Sequence, residues 1–213
     1  MSLQVCEIFY SIQGESSSAG FPCIFIRLSG CNLNCSYCDT TYAHHPGEEY
    51  LVQQIIKSIE CYPCRLVAIT GGEPLLQEQT PKLVGELIQV GYSVLLETNG
   101  SVALDQLDER CVKIVDIKCP ASGEEHSFNP AVLNGLSVRD ELKFVISDRC
   151  DYEYARDFLL RLDSLTIGAI HFSPVMSRLP ASELAAWILA DGLSVRCAPQ
   201  LHRFIWPDIE RGV

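Results

Sequence analysis

Apolar runs alternate with polar, glycine-marked turns along almost the whole chain, and the spacing inside each run separates strands from helices. Residues 23–28, apolar apart from Arg27, read as a buried strand that ends at Ser29-Gly30. Upstream, residues 5–10 are a short apolar stretch, and residues 13–20 have the Gly and Ser content of a loop. Leu51, Val52, Ile55, Ile56 and Ile59 recur at helical spacing, so residues 49–59 predict an amphipathic helix. Residues 66–69 form a second strand, broken by Thr70-Gly71-Gly72-Glu73-Pro74. Leu83, Leu87, Ile88 and Val90 mark a second helix, stopped by Gly91. Further strands are predicted at residues 93–96, 112–115, 142–146, 169–172 and 193–197. Further helices are predicted at residues 152–162 and from a Ser182 cap through Ala190.

This alternation argues for α/β architecture with parallel strands and crossover helices, in one domain spanning residues 1–213. Nearly every strand ends, on its C-terminal side, in Gly or in a group able to coordinate or hydrogen-bond: Cys31, Thr70, Glu97, Lys118, Ser173, Gln200. Parallel α/β barrels assemble their active sites on that rim. The chain is too short to close an eight-stranded barrel, so the expectation is an open, partial parallel β/α barrel of about six strands. An open edge invites pairing, which makes a homodimer the expected assembly.

Composition narrows the function classes. A net charge of −11 argues against a nucleic-acid surface, because phosphate binding needs a basic face. No apolar run reaches membrane-span length and the first residues do not form a signal peptide, so a soluble, cytoplasmic protein is expected. Eleven cysteines then read as mostly reduced thiols. Cys61 and Cys64 have redox-pair spacing, but they lie before the second strand, away from the glycine turn, and read as structural.

Cys31, Cys35 and Cys38 fall at C-x-x-x-C-x-x-C on the loop after the first strand, where three thiolates can converge on one soft metal centre. Closed zinc sites want four ligands, and no second short-spaced Cys or His pair follows at finger spacing. An iron–sulfur cluster held by three thiolates keeps one open coordination position. Gly71 and Gly72 lack Cβ atoms, so backbone there can approach a ligand closely. Arg27, in an otherwise apolar strand, needs either a structural carboxylate or an anionic ligand. His44 and His45, adjacent on a loop, read as surface.

The cysteine spacing together with Gly71-Gly72-Glu73-Pro74 resembles the radical S-adenosylmethionine (SAM) superfamily. Ser11-Ile12-Gln13-Gly14-Glu15, Phe25-Ile26-Arg27-Leu28, Cys38-Asp39-Thr40, Asp116-Ile117-Lys118-x-Pro120 and Gln200-Leu201-His202 resemble the 7-carboxy-7-deazaguanine synthase family within it. The resemblance implies a 4Fe–4S cluster on Cys31, Cys35 and Cys38. It implies SAM contacts at Tyr37, Cys38, Asp39, Gly71, Gly72, Glu73, Asn99 and Lys118, and at Ser173, Pro174, Val175 and Met176. At Tyr37 either the backbone meets the adenine or the ring is plain packing. Substrate contacts are implied at Ile12, Gln13, Gly14, Glu15, Arg27, Thr70 and His202, with Thr40 holding Mg²⁺. Ser16 departs from the family, which more often has a second Gly there.

The implied activity is conversion of a small-molecule pterin, 6-carboxy-5,6,7,8-tetrahydropterin, to 7-carboxy-7-deazaguanine with loss of ammonia, on the route to queuosine and other deazapurines. Flavodoxin or ferredoxin is the implied reductant. Two other classes stay open at this point. A radical SAM activase acting on a partner protein would share the cysteine and Gly-Gly-Glu motifs without needing Gln13, Glu15, Arg27 and Thr40 together. A non-enzymatic iron–sulfur electron carrier would usually retain a fourth Cys ligand and need no large cavity.

Overall fold

The computed structural model describes residues 2–162 and 167–213. Nine strands form one sheet: β1 (Leu3–Ile12), β2 (Pro22–Leu28), β3 (Glu48–Tyr50), β4 (Leu66–Gly71), β5 (Ser93–Thr98), β6 (Val112–Ile117), β7 (Glu141–Ile146), β8 (Ala169–Pro174) and β9 (Arg196–Cys197). Their spatial order is β3-β1-β2-β4-β5-β6-β7-β8-β9. From β2 rightward every pairing is parallel, whereas β1 runs antiparallel to both β2 and β3. β3 and β9 stand at opposite ends of this order, so the sheet is an open parallel array and not a closed barrel.

Five helices accompany it: α1 (Val52–Ile59), α2 (Thr80–Gln89), α3 (Arg149–Leu159), α4 (Ala181–Asp191) and α5 (Leu201–Ile205). The β5–β6 and β6–β7 connections contain no α-helix, and the latter is built on two short 3-10 turns, Pro120–Ser122 and Pro130–Gly135. Among the described residues no helix is long and apolar enough to cross a membrane.

Alternation along the strands sorts the side chains by face. On β2, Ile24, Ile26 and Leu28 pack with α1 and α2 in one apolar cluster. Cys23 and Phe25 point the other way and join Phe9, Ala68, Leu95 and Ile114 on the inner face. A third cluster unites β7 and β8 with α3 and α4 around Phe144, Phe172 and Tyr152. The inner apolar patch is small, and Arg27, Glu97, Asp116 and Lys143 follow it along the same faces into a cavity.

Several boundaries differ from the sequence pattern for local reasons. The apolar stretch at residues 5–10 is the core of the longest strand, β1. Residues 48–50, partly assigned to a helix, pair as β3 with Leu3–Val5, and exposed Glu48 and Glu49 suit an edge. α1 therefore starts at Val52, where the Gln54 side chain accepts the Leu51 N–H at 2.7 Å. Asp148 caps α3 by accepting from Asp151 N (3.0 Å), which moves the helix start ahead of residue 152. Pro180 precedes α4, so Ser182 lies inside the helix and does not cap it. Only Arg196 and Cys197 of the expected last strand pair, against His171 and Phe172.

Candidate active site

The C-terminal ends of the parallel strands open into one cavity of about 720 Å³. Every residue assigned above by resemblance to cluster, SAM, Mg²⁺ or substrate lines it, except Glu73.

The cysteine loop leaves β2 at Gly30, whose N–H is bound by Ala43 O (2.7 Å) and whose carbonyl accepts from Glu73 N (2.8 Å). A Cβ on Gly72 would stand 2.0 Å from Gly30 O and 2.9 Å from Cys31 Cβ; one on Gly71 would stand 2.1 Å from Leu28 O. The two glycines are thus required first by the cysteine loop and β2, which press against them. Glu73 is fully buried. Its oxygens accept from Leu75 N (3.0 Å), Thr98 Oγ1 (2.9 Å) and Asn99 N (2.6 Å), so it ties the glycine turn to the end of β5 and sits behind the cavity wall.

Two neighbouring loops grip the far side of the cysteine loop. Asn99 Nδ2 donates to Asn32 Oδ1 (3.0 Å), and Asn32 Nδ2 donates to Ser101 Oγ (3.0 Å). Asn34 N donates to Glu124 Oε1 (2.7 Å), and Ser36 bonds the backbone of Ala121 and Ser122. Cys31, Cys35 and Cys38 are half-buried free thiols and are the cysteines of the cavity wall. Among the described residues no three His, Cys, Asp or Glu side chains already form a metal-ready group, so a cluster would draw these thiols together. Soft donors, no competing disulfide and no fourth wall cysteine fit a three-thiolate cluster. The Tyr37 hydroxyl is buried without a partner, and Arg178 lies 5.8 Å from its ring centroid. Thr40 precedes a 3-10 turn but makes no side-chain capping bond; its Oγ1 faces Cys38 Sγ at 3.9 Å. His44, read as loop surface, is instead half-buried in the wall with Nε2 3.9 Å from Cys38 Sγ, whereas His45 is exposed.

The opposite wall is held by charge. Arg27 Nε donates to Glu7 Oε1 (2.8 Å), which also accepts from Tyr42 OH (2.9 Å), and the rings of Phe9 and Tyr42 flank the guanidinium. The structural carboxylate for Arg27 therefore exists. It engages only Nε, and the two terminal nitrogens make no hydrogen bond among the described residues. Glu15 accepts from Lys143 and from Gln200 Nε2 (2.7 Å). Burial alone would raise the Glu15 carboxyl, but the Lys143 charge and these hydrogen bonds hold it below its ordinary range. Burial would likewise pull Lys143 down; the carboxylates of Glu15, Asp116 and Glu97 push it above the usual lysine range. Burial raises Glu97, and the nearby Glu15 charge adds to it. Thr70 Oγ1 donates to Glu97 Oε2 (3.0 Å), and Lys118 Nζ to Asp116 Oδ2 (2.9 Å).

Gln13 is buried, with Oε1 accepting from Glu15 N (3.1 Å) and Nε2 left without a partner. Gly14 has no room for a Cβ, which would stand 2.3 Å from His202 Nδ1. Asp39 accepts from Arg203 (3.1 Å), tying the cysteine loop to α5. Residues 207–213 reach back to the site as well: Pro207, Ile209, Glu210 and Val213 line the cavity and the Arg211 guanidinium stacks 4.1 Å from the Tyr42 ring centroid. Lys143, Glu97 and Glu7 were not singled out as site residues. Lys143 carried the same signal as Arg27, a lone cation among apolar strand residues, and Glu7 is the register partner of Arg27 on β1.

A cysteine loop at the end of β2, over an open parallel sheet, defines a class, and the model of the radical SAM superfamily matches residues 25–172. A 7-carboxy-7-deazaguanine synthase of Koribacter versatilis is 43% identical over 227 residues, covering 99% of this chain and all of that protein. Another, of Chlorobaculum tepidum, is 43% identical over 214 residues, covering 99% and 97%. The crystal structure of QueE from Escherichia coli matches the fold with a TM-score of 0.79 at 24% identity, covering 95% of each chain. The chain belongs to the radical SAM superfamily and, within it, to the 7-carboxy-7-deazaguanine synthase family.

Proposed function

We propose that the chain carries out the radical SAM ring contraction of 6-carboxy-5,6,7,8-tetrahydropterin to 7-carboxy-7-deazaguanine, with loss of ammonia. The observation that carries this reading is the sharing of one cavity by three free cysteines and by Gln13, Glu15 and Arg27. Cys31, Cys35 and Cys38 would hold a 4Fe–4S cluster, which together with SAM would supply one-electron reduction and hydrogen-atom abstraction.

The chain's own residues supply position. Glu7, Phe9 and Tyr42 fix the Arg27 guanidinium while leaving two donors for a substrate carboxylate, the geometry of a bidentate fork. Gln13 Nε2 offers an unspent donor. Glu15, kept ionised by Lys143, can only accept and so suits an N–H-rich pterin edge. Asn99, bonded to Asn32, Lys118, near Cys35, and residues 173–176 of the cavity lining are the proposed SAM contacts. Thr40, free of a capping role, is the proposed Mg²⁺ contact, since a neutral hydroxyl suits a hard cation. A flavodoxin or ferredoxin reductant, a homodimeric assembly and a cytoplasmic setting complete the proposal.

Anaerobically reconstituted protein, given SAM, dithionite and the pterin, is expected to form 7-carboxy-7-deazaguanine, with Arg27→Lys raising KM for the pterin. Release of 5′-deoxyadenosine with no deazapurine from a fully loaded protein would overturn the substrate assignment.

A further inference from the structure

The loop that carries Gln13 and Glu15 contains the one non-glycine residue with positive φ among the described residues, Ser16 at +64°. A Ser side chain disfavours that conformation, so something must hold it. Internal bonds close the loop on itself: Gln13 N to Phe21 O and Gly20 N to Gln13 O, both 2.8 Å, with Ser18 N on Ser16 Oγ (3.1 Å) and Ala19 N on Ser16 O (3.3 Å). They do not fix it against the sheet. Two contacts on either side of Ser16 do. Glu15 reaches Lys143, and the Ser17 N–H faces both carboxylate oxygens of Glu141 (3.0 and 3.3 Å). Glu141 and Lys143 are two apart on β7 and therefore share its inner face.

Glu141 is buried, and so is the side chain against it, His171 on β8, whose Nε2 lies 2.8 Å from Glu141 Oε2, a close charge contact and not an aligned hydrogen bond. Burying a carboxylate is unfavourable unless its partners are fixed, and here the partners are one imidazole and one loop N–H. Neither Glu141 nor His171 lines the cavity.

We infer that Glu141 and His171 are positioning residues: they clamp the Ser17 backbone, hold Ser16 in its left-handed conformation, and thereby set Gln13 and Glu15 for substrate. His171 orients the carboxylate; the carboxylate holds the loop; the loop presents the two side chains. This inference rests on the pterin reading of the cavity, and its test separates the two.

The test uses the cluster-loaded protein and its Glu141→Ala, Glu141→Gln, Ser16→Gly and Ser16→Gly/Glu141→Ala variants. Glu141→Ala is expected to raise KM for the pterin about tenfold, as an unsupported left-handed residue relaxes, with kcat within about twofold. Pterin-independent 5′-deoxyadenosine formation stays unchanged, because the cysteine side is untouched. Glu141→Gln keeps an acceptor for Ser17 and lies in between. Ser16→Gly, which removes the penalty the clamp offsets, restores most of the KM in the double variant. An unchanged KM in Glu141→Ala, or a raised KM that Ser16→Gly leaves untouched, overturns the inference. If Glu141→Ala does not fold, Glu141→Gln with and without Ser16→Gly carries the same comparison. If the wild type does not turn over the pterin, the substrate reading fails. Amide exchange over residues 13–20 then decides the clamp alone: faster exchange in the Glu141 variant supports it, and unchanged exchange overturns it.

Discussion

The two walls of the cavity are built by different physics. The cysteine wall is held mainly by backbone hydrogen bonds, neutral amides and two glycines pressed against β2 and Gly30, and its carboxylates, Glu73 and Glu124, accept from backbone N–H groups. The wall formed by β7, β2 and the loop after β1 is held by ions: Glu15 with Lys143, Arg27 with Glu7, and Glu97 and Asp116 nearby. The proposed cluster loop thus has a rigid scaffold of mostly backbone contacts. The proposed substrate wall has fixed charges already desolvated before a ligand arrives.

The two walls should therefore break differently. The largest effect is expected on the charged wall. Lys143→Met leaves Glu15 without its cation and beside the carboxyl of Glu97. With Asp116 still paired to Lys118, the uncompensated charge is that of Glu15, and the protein should lose about 3–5 kcal/mol in denaturant unfolding, with loss of pterin binding. On the cysteine wall the break is steric. Gly72→Ala places a methyl 2.0 Å from a backbone oxygen that has no rotamer to retreat into. A loss of about 3 kcal/mol is expected, with reduced iron content after reconstitution as the distinguishing readout.

The smallest effect sharpens the comparison within the charged wall. Glu15 is held below its ordinary pKa, so its stabilisation is complete above the usual carboxylate range and drains as pH falls through the lowered folded value. Glu97 is raised, so protonation favours the folded state and opposes that loss. Glu15→Gln should flatten the acid limb of a stability–pH curve and Glu97→Gln should steepen it, as measured by thermal unfolding between neutral and acid pH.

What was legible in the chain follows the same division. The cysteine loop is a local object: C-x-x-x-C-x-x-C, the strand before it and the glycine turn announce themselves within a few residues. The parallel strands were legible too, because β2, β4 and β5 are mostly apolar runs, as strands packed on both faces tend to be, and β6 keeps Val112, Ile114, Val115 and Ile117 around its two charges. β3 was not, since Glu48-Glu49-Tyr50 carries no apolar signal and is a strand only because β1 lies beside it. The charged wall was legible only in its members and not in its pairs. Glu15 meets Lys143 across 128 residues and Gln200 across 185, and no local spacing encodes such a meeting. Glu73 was legible only in part for a related reason: its motif suggests a ligand contact, and only the fold reveals that Thr98 and Asn99 bond its oxygens behind the cavity wall.

The reversed direction of β1 has an effect beyond its own pairing. Because it runs against β2, the connection between them departs from the rim opposite the cysteine loop, beside the first residue of β7. The loop that presents Gln13 and Glu15 thus enters the cavity from the end of the sheet opposite the cysteine loop, on a separate stretch of chain. Residues 13–20 could be lengthened, shortened or rewritten while the cysteine end kept its shape.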